Sequence, residues 1–337
     1  MQTPDRNELL SELADLDQGR FEESALAVFR YQAVQNPLYA RFLKLLGKTP
    51  GAVDRLPDIP CLPVSLFKNY AVQTGNWKPE TEFTSSGTTG QQPSRHLVRH
   101  LGYYLENTRK GFAQFYGPPE DWCFLALLPS YLERQGSSLV AMAAAFIRHS
   151  KYPQSGFFLD DFKGLRRILE TCKAEGIPTV LLGVSFALLH FAEKYPMDLS
   201  GLVVMETGGM KGRRRELTRA ELHEILRQAF SLSGIHSEYG MTELFSQAYG
   251  SGATPEDQAL AFKPAATLRV LTKEINDPFC SCKPGRSGLL QMIDLANLDT
   301  CSFIATEDIG RVYPDGRFEV FGRMDAAELR GCNLMVE

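Results

Sequence analysis

The sequence predicts an α/β protein: helices at the N-terminus, a central sheet wound from βαβ units, and a β-rich C-terminal part. Three observations carry this. Residues 7–48 repeat apolar positions at helical spacing. From Trp122 onward, short apolar runs alternate with amphipathic stretches of helix length. Beyond Tyr239, short β-type runs are separated by Gly, Pro and Asp. Strands alternating with helices wind right-handed crossovers and a mostly parallel sheet.

The N-terminal helices are marked by Leu9, Leu10 and Leu13, then by Phe21, Ala25, Val28 and Phe29. Asn36-Pro37 interrupts them, and Pro50, Pro57, Pro60 and Pro63 make 49–63 an extended connection. A polar Gly/Ser/Thr-rich stretch at 84–94, with alternation resuming at His96-Leu97-Val98, suits strand–loop–strand. Strands are then expected at 123–128, 179–182 and 201–206. Helices are expected at 137–149, 162–175, 186–194 and 218–230, the last capped by Thr218 with Glu221 three residues on. Later strands fall at 267–271, 287–294, 311–313 and 318–321, the last two joined by the turn Pro314-Asp315-Gly316.

Composition narrows the function classes. The 337 residues are 44% hydrophobic and 23% charged with a net charge of −4, which supports a large buried core and gives no concentrated basic surface for nucleic acid. Seven cysteines, an odd number in a long chain, suit a reducing cytoplasm. The N-terminus lacks the pattern of a signal peptide, and no apolar run approaches the roughly 20 residues of a membrane span.

Three segments carry chemistry. Thr84-Ser85-Ser86-Gly87-Thr88-Thr89-Gly90 interleaves hydroxyls with glycines, so backbone N–H groups and side-chain oxygens can wrap phosphate; Gln91 in place of Lys excludes a Walker loop. The same composition also suits a polar surface loop. In Ser237-Glu238-Tyr239-Gly240-Met241-Thr242-Glu243 the aromatic suits a purine, and Thr242 and Glu243 suit phosphate and a divalent cation. A strand-to-helix turn relieved by Gly240 is the alternative. Thr306-Glu307-Asp308-Ile309-Gly310 sets an acid before a glycine turn, suited to ribose hydroxyls or simply to a turn.

In this order, with about 150 residues from the loop to Tyr239 and about 70 more to Asp308, followed by Gly322-Arg323-x-Asp325, these segments resemble the adenylate-forming superfamily of acyl-CoA synthetases, adenylation domains and luciferases. A narrower resemblance rests on Ile59-Pro60-x-Leu62-Pro63 with Phe67-Lys68, on Pro129-Ser130-Tyr131-Leu132-Glu133-Arg134 with Ser137-Ser138-Leu139, and on the ending from Gly322 through Ala326-Ala327-Glu328-Leu329-Arg330-Gly331-Cys332. These are similar to the LuxE-type acyl-protein synthetases, the fatty-acid ligases of bacterial bioluminescence operons.

The resemblance implies the N-terminal-type body of an adenylate-forming enzyme as one large domain, 1–337. It would comprise a helical part (1–80), a phosphate loop with αβ core (81–235), and an αβ/β-rich subdomain (236–337) ending in a cysteine-containing tail. ATP and Mg²⁺ are the implied cofactors and a carboxylic acid, fatty in the narrower family, the substrate. Ser85, Ser86, Gly87, Thr88, Thr89 and Gly90 would close over the β and γ phosphates, and Gly208 and Gly209 would form the adenine-pocket turn. Tyr239 with Gly240 would pack on adenine, Thr242 would contact phosphate, Glu243 would hold Mg²⁺, Asp308 would bind ribose, and Arg323 would be a further nucleotide contact.

The chain stops at Glu337, 12 residues past Asp325. The resemblance therefore implies that the mobile C-terminal domain is absent, its lysine replaced by Lys211, Arg213 or Arg134 or supplied by a partner. It also implies that Cys332 accepts the acyl group and passes it to a partner such as a reductase or carrier. A buried structural Cys332 in an acid:CoA or acid:carrier-protein ligase, or a non-catalytic nucleotide-binding module, are the competing readings. His236 suits either a pocket wall or a structural hydrogen bond, and Cys280-x-Cys282 is a weak metal signal.

Overall fold

In the computed structural model, residues 4–16, 18–85, 92–128, 136–208, 217–252, 260–283 and 285–324 are described. Contacts divide the chain into two units, Met1–Asn76 with Ala266–Glu337, and Trp77–Ala265. The N-terminal helical part thus groups with the β-rich C-terminal part, divided from the rest at 76/77 and 265/266 and not at 80/81 and 235/236.

The first unit begins with α1 (Arg6–Ala14), α2 (Phe21–Gln35) and α3 (Pro37–Leu45), followed by β1 (Leu62–Pro63) and α4 (Leu66–Asn69). Asp5 and Glu8 form a capping box at α1. Asn36 caps α3 by accepting from the Tyr39 N–H, with Pro37 at the first position where its missing donor costs nothing.

The second unit opens with the hairpin β2 (Thr81–Thr84) and β3 (Arg95–Val98), antiparallel with Thr84 opposite Arg95. Next come α5 (Leu101–Tyr116), β4 (Cys123–Leu127), α6 (Ser138–His149), β5 (Gly156–Phe157), α7 (Phe162–Ala174), β6 (Thr179–Val184), α8 (Ser185–Lys194), β7 (Val203–Thr207), α9 (Arg219–Phe230), β8 (His236–Tyr239), β9 (Ala248–Ser251) and β10 (Lys263–Pro264). Among the described residues these strands form a sheet in the order β10-β9-β8-β7-β6-β4-β5, parallel from β8 to β5 and antiparallel beyond. Every residue of β4 and β6 is buried, as befits central strands covered on both faces. The βαβ texture expected from Trp122 onward is present, with helix starts capped by Ser137, Asp161 and the Thr218/Glu221 box.

Strand order reverses next to β4, which has β5 on one side and β6 on the other. In open α/β sheets such carboxyl ends are where ligands lie. Helix α5 was not expected: Gly102 and Gly111 break its apolar pattern, yet Gly111 gives the close approach to Gln247 and Ala265 that packs it on the sheet.

The first unit resumes with β11 (Leu268–Lys273), β12 (Ser287–Asp294), β13 (Phe303–Val312) and β14 (Phe318–Arg323). Their sheet runs β1-β13-β12-β11, with β14 also paired to β13. Phe29, Tyr39 and Phe303 form an aromatic core at centroid distances of 5.9–6.1 Å. Fully buried Gln32 donates to the carbonyls of Asn297 and Leu298, each at 3.0 Å, and accepts from Ser302 N–H at 2.9 Å, tying α2 to the β12–β13 connection. A buried amide satisfied at both ends fixes that position.

Candidate functional site

In the second unit, the carboxyl ends of β6, β7 and β8 carry Ser185, Gly208 and Tyr239. Gly208, where β7 ends, has φ +73°, a conformation that a side chain disfavours. Its carbonyl accepts from Ser185 Oγ at 2.5 Å, and the same hydroxyl reaches Glu206 Oε2 at 3.2 Å. One strand over, half-buried Tyr239 packs its ring 5.4 Å from Phe262 and donates its hydroxyl to Met241 Sδ. The chain leaves β8 through the exposed Gly240 into a bend at 240–247 that leads to β9, so the alternative of a strand-to-helix turn does not hold. Thr242 is half-buried and Glu243 buried in that bend.

The bend is held by residues far away in sequence. His96 on β3, completely buried, contacts the Thr242 carbonyl through Nδ1 at 2.8 Å. A carbonyl can only accept, so Nδ1 carries the proton. Burial pushes His96 down to about 4, partly offset by this bond, which keeps the ring neutral. The imidazole lies 4.8 Å from the Phe245 ring, and Asn107 of α5 donates to Phe245 O at 3.0 Å and Ser246 Oγ at 3.2 Å. His96 thereby links the hairpin bearing the candidate phosphate loop to the Thr242–Glu243 bend. At the base of that loop Ser85 Oγ accepts from Ser94 N–H at 2.8 Å, and Ser85 N–H donates to Ser94 O.

Two carboxylates at the sheet end differ in their partners. Glu206 on β7 accepts from Arg219 Nε at 2.9 Å and approaches His223 Nε2 at 3.4 Å. Burial works to raise its pKa, but the His223 bond and the Arg219 charge outweigh it and the net shift is downward. Ser237 Oγ also meets His223 Nε2, at 3.3 Å, which places Ser, His and Glu together. This is no charge-relay triad: serine and glutamate share one ring nitrogen, whereas a base relaying a proton needs both. Glu238 on β8 accepts from the Thr207 hydroxyl, and burial pushes it up to about 7. His236 bonds the Tyr116 hydroxyl through Nδ1 at 3.0 Å, the structural alternative.

In the first unit, Asp308 lies on β13 and Arg323 on β14 as register partners, with Arg323 Nε donating to Asp308 Oδ1 at 3.1 Å. The two residues singled out from sequence thus meet. The expected glycine turn is corrected: Gly310 lies inside β13 at a register shift, because any Cβ there would stand 2.0 Å from Glu319 O. A glycine marks close strand approach as readily as a turn.

Ser86, Gly87, Thr88, Thr89, Gly90, Gly209, Cys332 and the cations Arg134, Lys211 and Arg213 lie outside the described residues. Among the described residues no group of three His, Cys, Asp or Glu could hold a metal, Cys280 and Cys282 included. Glu243 by itself fits Mg²⁺, which is held by one or two carboxylates together with substrate phosphates. Among the described residues no helix is long and apolar enough to cross a membrane.

Structural comparison shows the fold. An open conformation of 2-hydroxyisobutyryl-CoA ligase in complex with 2-HIB-AMP and CoA superposes with a TM-score of 0.66 at 15% identity, over 90% of this chain and 70% of that one. ATP-bound MatB from Rhodopseudomonas palustris gives 0.53 at 15% identity, over 74% and 49%. The chain therefore has the fold of adenylate-forming acyl-CoA ligases. In sequence it is similar to the long-chain-fatty-acid–luciferin-component ligase of Vibrio harveyi, 24% identical over 334 residues covering 91% of this chain and 84% of that protein. No family model matches the sequence.

Proposed function

We propose that this chain is an acid-activating ligase of the acyl-protein synthetase type. A carboxylate oxygen attacks the α-phosphorus of ATP, the bond to pyrophosphate breaks, and acyl-AMP forms. The Cys332 thiolate then attacks the acyl carbon, AMP leaves, and the thioester passes to an acyl-accepting protein such as a reductase or carrier. The observation that carries the reading is the bend Tyr239–Glu243 at the carboxyl end of β8, beside Gly208 at the end of β7. The similarity to a ligase named for long-chain fatty acids supports a fatty acid as substrate.

In this reading Tyr239 and Gly208 bind the adenine and Thr242 orients the phosphates. Asp308, aligned by Arg323, binds the ribose, and the hydroxyls and N–H groups from Ser85 to Gly90 bind the β and γ phosphates. Glu243 would hold Mg²⁺, which supplies charge neutralisation on the polyphosphate when bound. His96 acts through the bend, holding Thr242 and Glu243 in place so that alignment is built before substrate arrives. Action in the cytoplasm belongs to the same reading, supported by the free thiols of the six described cysteines.

The test is labelled acid with Mg·ATP. The wild type becomes labelled through a hydroxylamine-sensitive bond, and Cys332→Ala loses that label while still releasing pyrophosphate. Unchanged labelling of Cys332→Ala sinks the thioester step and favours transfer to CoA or a carrier. ATP binding without any acid-dependent pyrophosphate release favours a non-catalytic binding module.

A further inference from the structure

Thr207, Glu238 and Tyr249 stand side by side on three adjacent strands: Thr207 is the register partner of Glu238 across β7–β8, and Glu238 that of Tyr249 across β8–β9. Register partners present their side chains to the same face. Gln247 joins them, because Glu238 Oε1 and Gln247 Cγ lie 2.7 and 3.8 Å from the point where a Cβ on Gly240 would stand. Helix α5 lies against this face, where a Cβ on Gly111 would stand 3.9 Å from Gln247 Oε1.

The cluster is buried but short of hydrogen bonds. Glu238, Gln247 and Tyr249 are 6%, 3% and 3% exposed. The Glu238 carboxyl receives the Thr207 hydroxyl, while Tyr249 Oη and Gln247 Oε1 have no hydrogen-bond partner among the described residues. Buried polar atoms in native proteins are nearly always paired, so an unpaired amide oxygen and an unpaired phenol hydroxyl beside a carboxyl mark a place where a further group completes the set.

We propose that Glu238, Gln247 and Tyr249 bind a hydrogen-bond-donating substituent, a hydroxyl or an amine, on the chain of the acid that is activated, so that the fatty acid of the preceding reading is a hydroxy- or amino-substituted one. This rests on the adenylation reading. Glu238 immediately precedes Tyr239, so the cluster sits on the strand that leads into the bend where the acid would be activated, on the face opposite Tyr239. An unsubstituted hydrocarbon chain gives the Gln247 amide oxygen no proton and the Tyr249 hydroxyl no partner, and leaves both buried and unpaired. Sites built around buried hydrogen bonds reject analogues lacking the group by roughly 10⁴-fold or more when the bonds are well formed. The raised pKa of Glu238 agrees with a carboxyl that lacks a charged partner and is ready to receive one.

The experiment uses the full chain with Mg·ATP and matched sets of one unsubstituted acid, its hydroxy analogue and its amino analogue, scored by pyrophosphate release. The wild type favours a substituted acid by roughly 100-fold or more in kcat/KM; the preferred analogue tells hydroxyl from amine. Glu238→Leu lowers that ratio at least about tenfold. Tyr249→Phe, which removes one hydroxyl without enlarging or shrinking the core, lowers it severalfold and serves if Glu238→Leu fails to fold. Equal use of all three acids by the wild type overturns the inference, as does an unchanged ratio in both variants. Activation of no acid at all counts against adenylation itself, whereas activation without donor preference counts against this inference alone.

Discussion

Glu206 and Glu238 stand on neighbouring strands, are 5% and 6% exposed, and face opposite sides of one sheet. On the Glu206 side, α9 brings Arg219 and His223 and the carboxylate is held ionised. On the Glu238 side, α5 brings aromatic rings and a glycine, Thr207 is the donor among the described residues, and the pKa rises to about 7. Equal burial with opposite shifts shows that partners decide the charge of a buried carboxyl. One face is a closed polar network that fixes the sheet, and the other keeps polar groups in reserve.

The largest effect expected from breaking this contrast is at Arg219. Arg219→Met strands Glu206 as a buried charge and costs about 3–5 kcal/mol of stability, read by urea denaturation. A loss under about 1 kcal/mol would remove the distinction between the faces.

The pH dependence of folding sharpens it further. Glu238 has a folded pKa above its ordinary 4.5, so its contribution is complete below 4.5 and is lost as pH rises through about 7, by on the order of 3 kcal/mol. Glu206, shifted down, contributes above 4.5 and loses that contribution as pH falls through its folded value. Glu238→Gln should therefore flatten the decline in stability between about pH 4.5 and 7, whereas a slope unchanged from wild type would show that Glu238 is ionised throughout.

A smaller effect is expected at His96. His96→Phe keeps a ring against Phe245 but removes the donor to the Thr242 carbonyl, costing about 1–3 kcal/mol in stability. It should also raise KM for ATP, whereas His96→Asn, which can still donate, restores KM in part. Smallest is Thr218→Ala, about 1 kcal/mol, because it uncaps the helix that delivers Arg219 and His223 to Glu206.

What could be read from the sequence was local. The capping box at Thr218, the polar hairpin after Thr84, and the βαβ alternation each show within a dozen residues, because periodicity and capping are short-range. The Tyr239–Glu243 segment was legible as a motif, and the pairing of Asp308 with Arg323 followed from two residues already singled out. Contacts set by register were not legible. Nothing near His96 announces that it meets Thr242, 146 residues later, and nothing near Glu238 shows that Thr207 and Tyr249 flank it. An acidic residue between Ser237 and Tyr239 was the one available signal, since a carboxyl in a covered strand must find partners or shift its pKa. Gly310 looks like a turn residue in the sequence for the same reason: the carbonyl that forbids a side chain belongs to β14.

The central claim, activation of an acid as its adenylate, is tested most directly by acid-dependent exchange of labelled pyrophosphate into ATP. Exchange is expected to require a carboxylic acid and to fall by roughly 100-fold or more in Glu243→Gln, with the variant's fold intact. Exchange that is absent with every acid tried, or that persists undiminished in Glu243→Gln, would contradict it.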